Sequence, residues 1–131
     1  MSGETDLDQV IASLRPERRA GEYVFVSLPD PAQVDALAVV HEAEGVTYIV
    51  PRGTADERGW PYDFIAAWIT LRVHTSLAAI GVTATVTSAL ADDGISCNML
   101  AGYFHDHVLV PADRADDALE TLRRLSSRNR S

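Results

Sequence analysis

Between residues 64 and 111 the hydrophobic period changes from strand to helix and back, which leaves few ways to fold this chain. Phe64 to Val73 is mostly apolar and holds Trp68, Ile69, Leu71 and Val73, the pattern of a central strand. Val82, Val86, Ala89 and Leu90 then follow the helical period, and Gly94 ends that helix. Ile95 to Ala101 and Phe104 to Val110 read as the next two strands. Asp113 is a natural N-cap for a last helix with the face Ala115, Ala118, Leu119, Leu122 and Leu125. A β–α–β–β–α order with crossovers of this length predicts an antiparallel sheet with both helices on one face. The segment supplies only three strands of that plan. A fourth must come from the N-terminal half or from another subunit.

The N-terminal half is less regular. Leu7, Val10, Ile11 and Leu14 form one face of a short helix that stops before Pro16. Gly21 opens the aromatic and β-branched run Tyr23 to Leu28, a strand closed by Pro29 and Pro31. Residues 33–50 suit either a helix or two strands joined by a turn at Glu42 to Gly45, and the two-strand reading is favoured. Pro51 to Pro61 reads as a polar loop with a helical turn around Ala55 to Arg58.

Composition excludes several functions. A chain of 131 residues can build one core, or two very small subdomains sharing one. The net charge of −8 argues against nucleic acid, whose phosphates need a basic surface. All eleven basic residues are arginine, which removes Schiff-base lysines and the Walker lysine. Arg123, Arg124, Arg128 and Arg130 make a basic tail, read as a solvated helix end. Cys97 alone cannot form an internal disulfide and reads as a buried strand thiol. No apolar run reaches the roughly 20 residues of a membrane span, and acidic residues stand where a signal peptide carries basic ones. A cytoplasmic protein that uses no cofactor is expected.

Gly81-Val82-Thr83-Ala84-Thr85 through Asp93-Gly94-Ile95 resembles the ligand loop and first helix of ACT domains. Residues 68–111 resemble more closely a group of small bacterial proteins with tandem ACT-like folds. The stretches that carry this are Trp68 to Leu77, Gly94-Ile95-Ser96-Cys97-Asn98 and Ala101 to Val108. Tyr23 to Val26 and Glu42 to Thr47 fit the same group, so the resemblance spans about residues 7–126. It implies an α+β fold of two interlocked ferredoxin-like subdomains, 7–64 and 65–131, distantly related to the ACT regions of aspartate kinase and the animal cytosolic arginine sensor. It further implies a non-catalytic regulatory module that binds an amino acid or related small metabolite. The missing fourth strand and the open edges it leaves point to a homodimer, and any output is expected to act on a separate protein effector or on the oligomeric state.

The candidate ligand-binding residues are His74, Thr75, Ser76, Leu77, Ile80, Gly81, Val82, Asn98, Gly102, Tyr103, His105 and Asp106. Gly81 opens a helix whose free N–H groups and dipole favour a carboxylate, although it also reads as a simple loop-to-helix turn. Asn98 can read an α-amino and carboxylate pair or satisfy backbone at a sheet edge. His105 and His107, two apart in a strand, share a face that Asp106 avoids. They can stabilise the loop by hydrogen bonds, touch ligand, or with His74 approach a zinc set; no closed tetrahedral set is present. Glu42 and Glu44 could meet a ligand amino group or form a solvated turn. No nucleophile elbow and no glycine-rich phosphate loop is present. The rival readings are a metal-dependent hydrolase or structural metal protein built on His105 and His107, with an acid–base group of His74, His105 and Asp106, and a dimerisation module without ligand.

Overall fold

The computed structural model describes residues 3–73 and 80–128, with side chains from residue 7 onward. Its order is α1 (Gly3–Ala12), β1 (Arg15–Arg18), β2 (Tyr23–Leu28), β3 (Ala38–Glu42), β4 (Gly45–Pro51), α2 (Arg52–Arg58) and β5 (Ile65–Arg72). After these come α3 (Val82–Asp92), β6 (Asn98–Ala101), β7 (Asp106–Pro111), a 3-10 turn (Ala112–Arg114) and α4 (Ala115–Arg128). The strands form one antiparallel sheet in the order β3-β4-β2-β5-β7-β6, with β1 also on β5.

That last pairing answers where the fourth strand comes from. β1 pairs with the far end of β5, Arg15 opposite Arg72 and Arg18 opposite Ile69, while β2 pairs with its near end, Tyr23 opposite Ala66. The same chain therefore completes the C-terminal sheet as β1-β5-β7-β6, and β5 in turn completes the N-terminal sheet as β3-β4-β2-β5. The register changes by two residues across residues 19–22, so the chain bulges where it passes from one half to the other. The Arg19 N–H donates to the Trp68 carbonyl at 2.8 Å and holds the bulge against β5. A missing strand is therefore no reason for a dimer, although β3 and β6 remain open edges.

Alternation along β5 sorts the core. Ala67, Ile69 and Leu71 point to the face covered by α1, α3 and α4, where they pack with Ile11, Leu14, Val86, Leu90, Val108 and Leu122. Val24, Val26, Val46, Tyr48 and Val50 pack with Ala55 of α2 in a second cluster. On the other face Tyr23, Ile49, Ala66, Trp68 and Leu109 form a third cluster, joined by Leu37 and Leu100. Burial of the Ile11–Leu14 face ties the N-terminal helix to the C-terminal half.

Several boundaries differ from the sequence reading. Asp113 lies inside the 3-10 turn, and α4 starts at Ala115. The strand expected from Ile95 begins only at Asn98, because the Ile95 N–H is used by the Leu90 carbonyl at the end of α3. The strand expected from Phe104 begins at Asp106, with Tyr103 and Phe104 in the preceding turn. Cys97 precedes β6 and is half-buried, and its burial pushes the thiol pKa up. The 51–61 segment is more ordered than a loop: α2 fills most of it and Gly59 closes it in the left-handed region. Residues 33–50 do form two strands.

Candidate functional site

His74, Thr75, Ser76 and Leu77 lie outside the described residues. Gly81 stands at the N-cap of α3 with φ 92°, a conformation that favours glycine, and no side chain among the described residues caps the helix. The Thr85 N–H and hydroxyl both return to the Gly81 carbonyl, at 2.9 and 2.7 Å. The N–H groups of Val82, Thr83 and Ala84 therefore precede the first helical hydrogen bond and can receive an acceptor. The Val82 side chain is buried in the core, so only its backbone can serve a ligand. Ile80 is 91% exposed beside this turn. A Cβ on Gly81 would come within 3.1 Å of Leu7 on α1, so the turn is also packed from behind.

Asn98 and His105, with His107 between them, lie on the helix-free face of the sheet. β7 places His107 opposite Thr70 and Leu100, and Leu109 opposite Trp68 and Asn98. His107 Nδ1 and Thr70 Oγ1 are 3.0 Å apart, and the His107 ring lies 5.0 Å from the Trp68 ring. Burial, then His105, and lastly Arg19 hold the His107 imidazole below its ordinary range, while Asp106 opposes them. Glu17 accepts a 2.8 Å bond from Arg72, whose other nitrogen lies 3.3 Å from His105 Nε2. A guanidinium only donates, so Nε2 is the acceptor of this contact, and the remaining ring nitrogen is Nδ1. That Nδ1 is buried without a partner among the described residues.

The turn that carries the histidines is built on Gly102, whose N–H donates to the His105 carbonyl at 2.9 Å. A Cβ there would stand 2.8 Å from that carbonyl and 3.2 Å from His107 Nε2, so glycine alone permits the approach. Tyr103 and Phe104 form its tip, stacked edge to face and mostly exposed. Asn98 is exposed on the open edge of β6, and Asp106 points to the helix side. The structure thus places Gly81 at the head of α3 and the histidines on the opposite face of the sheet. Among the described residues no group of three or more His, Cys, Asp or Glu could hold a metal.

The sequence reading passed over a recess of about 440 Å³ on the helix-free face, lined by Arg19, Asp35, Leu37, Trp68, Thr70 and His107. Arg19 and Asp35 carried no sequence signal because both sit in irregular segments. A larger open groove of about 760 Å³ lies between α3 and α4. One ion pair crosses it: Arg124 pairs with Asp93 at 2.8 Å, and Thr121 donates to the same carboxylate. The Thr121 bond and then Arg124 hold the Asp93 carboxyl below its ordinary range. These bonds fasten α4 to the end of α3.

Comparison with known proteins fits this double architecture. Residues 2–67 match one ACT domain model and residues 64–124 match a second. The chain belongs to the ACT domain family. ACT domains are typically regulatory modules that bind small molecules. A protein of unknown function from Vibrio cholerae, described as a possible transport protein, is 35% identical over 95% of this chain and 99% of its own, with a TM-score of 0.87. The regulatory subunit of aspartate kinase from Thermus thermophilus shares the fold at 12% identity, TM-score 0.63, over 84% of this chain and 95% of its own. A protein from Agrobacterium tumefaciens does so at 14% identity, TM-score 0.64, over 86% and 89%. No curated protein matches the chain. Among the described residues no helix is long and apolar enough to cross a membrane.

Proposed function

We propose that this tandem ACT protein is a non-catalytic cytoplasmic regulator, with subdomains over residues 7–64 and 65–131, that binds an amino acid or a closely related metabolite at the Gly81 turn. The observation that carries this reading is the start of α3 at a left-handed glycine, with no side-chain cap among the described residues. Its N–H groups and the helix dipole suit a ligand carboxylate. His74, Thr75, Ser76 and Leu77 lead into the turn, and exposed Ile80 provides an apolar contact. Asn98, Gly102, Tyr103, His105 and Asp106 stay in the reading as second-half contacts that a partner subunit would bring to the turn. The protein acts as a homodimer through its open strand edges, and ligand shifts the stability of that interface toward an effector protein.

Replacing Gly81 is a poor test, because a Cβ there also presses on Leu7. Thr83→Asp is cleaner. Thr83 is exposed in the first turn of α3. A carboxylate there stabilises the helix by about 0.3–1 kcal/mol and repels a bound carboxylate. In a thermal-shift screen of the twenty amino acids, the natural protein should respond to one or a few. A ligand at 100 times its Kd adds about 2.7 kcal/mol. Thr83→Asp should melt no lower than the natural protein and lose the response to at least one of those amino acids, the ligand of this turn. A response undiminished for every amino acid in Thr83→Asp removes the Gly81 turn from the site.

A further inference from the structure

The recess on the helix-free face has the features of a binding site of its own. Its volume of about 440 Å³ falls within the roughly 300–1,000 Å³ of small-molecule pockets. It lies on the seam between the two halves. Arg19 enters from the bulge between β1 and β2, and Asp35 and Leu37 from the segment before β3. Trp68 and Thr70 come from β5, and His107 from β7.

The walls are fixed before anything binds. The Tyr48 hydroxyl accepts from the Ala32 N–H at 2.9 Å, Arg58 donates to the Gln33 carbonyl at 3.1 Å, and the Leu37 N–H donates to Ile49 at 2.8 Å. These bonds pin the segment that carries Asp35. Arg19 donates through Nε to the Tyr23 hydroxyl at 3.1 Å, and that hydroxyl in turn donates to the Ala20 carbonyl at 2.5 Å. The guanidinium is thereby oriented while its two terminal nitrogens keep their donors. Trp68 is buried, packed edge-on against Tyr23.

The charges in this recess are unspent. Among the described residues neither Arg19 nor Asp35 is in an ion pair, with each other or with any other group. A planar fork of donors matches a carboxylate, and the Thr70–His107 pair offers it a further hydrogen bond. Asp35 suits an ammonium. A simple anion would face Asp35 and a simple amine would face Arg19, whereas a ligand bearing both charges satisfies both. Trp68 and Leu37 leave an apolar surface between them.

We propose that this recess is a second ligand site, separate from the Gly81 turn, for a small zwitterion with an apolar body, its carboxylate on Arg19 and Thr70 and its ammonium on Asp35. L-Leucine is the probe, with 4-methylpentanoate lacking the ammonium and 3-methylbutylamine lacking the carboxylate. Trp68 emission is followed in a Trp60→Phe background. Leucine should change that emission saturably and more tightly than either half-molecule. Arg19→Gln should weaken leucine and 4-methylpentanoate at least tenfold and spare the amine. Asp35→Asn should weaken leucine and the amine at least tenfold and spare the acid. Both residues are exposed, and a far-UV spectrum like that of the natural protein confirms that each variant is folded. Thr83→Asp should leave all three curves unchanged. The proposal is overturned by an absence of any saturable change. It is equally overturned by a leucine response that both recess variants keep and Thr83→Asp abolishes, which would assign the ligand to the Gly81 turn instead.

Discussion

Leu14→Ala tests whether the N-terminal segment is built into the C-terminal core. Leu14 is 1% exposed and stands between α1 and β1, packed in the cluster that holds Ile69, Leu71 and Leu122. Truncating a leucine in such a place costs about 2–5 kcal/mol, the lost transfer energy plus the cavity left behind. A two-state domain has an unfolding entropy of about 2.1 cal/mol/K per residue. For 131 residues that is about 0.28 kcal/mol/K. The melting temperature should therefore fall by roughly 7–18 °C. Calorimetry gives the shift, and native-state amide exchange gives its location: the Ile69 and Leu71 amides of β5 should lose protection together with those of α4. A fall of less than about 2 °C, or exchange that quickens only before residue 14, would show that α1 and β1 are an appendage and refute the interlocked packing.

Acid should weaken the fold through His107. Its folded pKa lies below the ordinary imidazole value, so the unfolded chain binds the proton first and stability declines as pH falls through about 6.5. The decline is complete once the pH is below the folded pKa. Denaturant midpoints measured across that window should show the loss, and His107→Gln should flatten it; an equally steep slope in the variant assigns the proton to another group. EDTA treatment should leave the melting temperature unchanged, and a chelator-sensitive melt restored by stoichiometric zinc would revive the metal reading of His105 and His107.

The elements legible in the sequence are those whose burial is one-sided or complete. β5 reads as a strand because one side chain set faces helices and the other faces the Trp68 cluster. The helical stripe of α4 was equally plain. β1 was missed because Arg15-Pro16-Glu17-Arg18 has no apolar alternation to betray it. It pairs with β5 alone, its four side chains are mostly solvated, and proline is tolerated where a strand has a free edge. The candidate site divides in the same way. Gly81 announces itself locally, as a glycine opening an apolar helix. Arg19 and Asp35 have meaning only beside Thr70 and His107, and that adjacency depends on the bulge at residues 19–22. No window of sequence short enough to read contains it.

The reciprocal use of β5 has a consequence for any attempt to divide the molecule. A cut in the 59–64 connection would yield one piece carrying α1 and β1 without the sheet they complete. The other piece would carry β5 without the strands that cover its near end. Each fragment is thus the other's missing part. Pieces that merely adjoin can be studied singly, whereas woven pieces regain structure only on reassociation, as split reporters do.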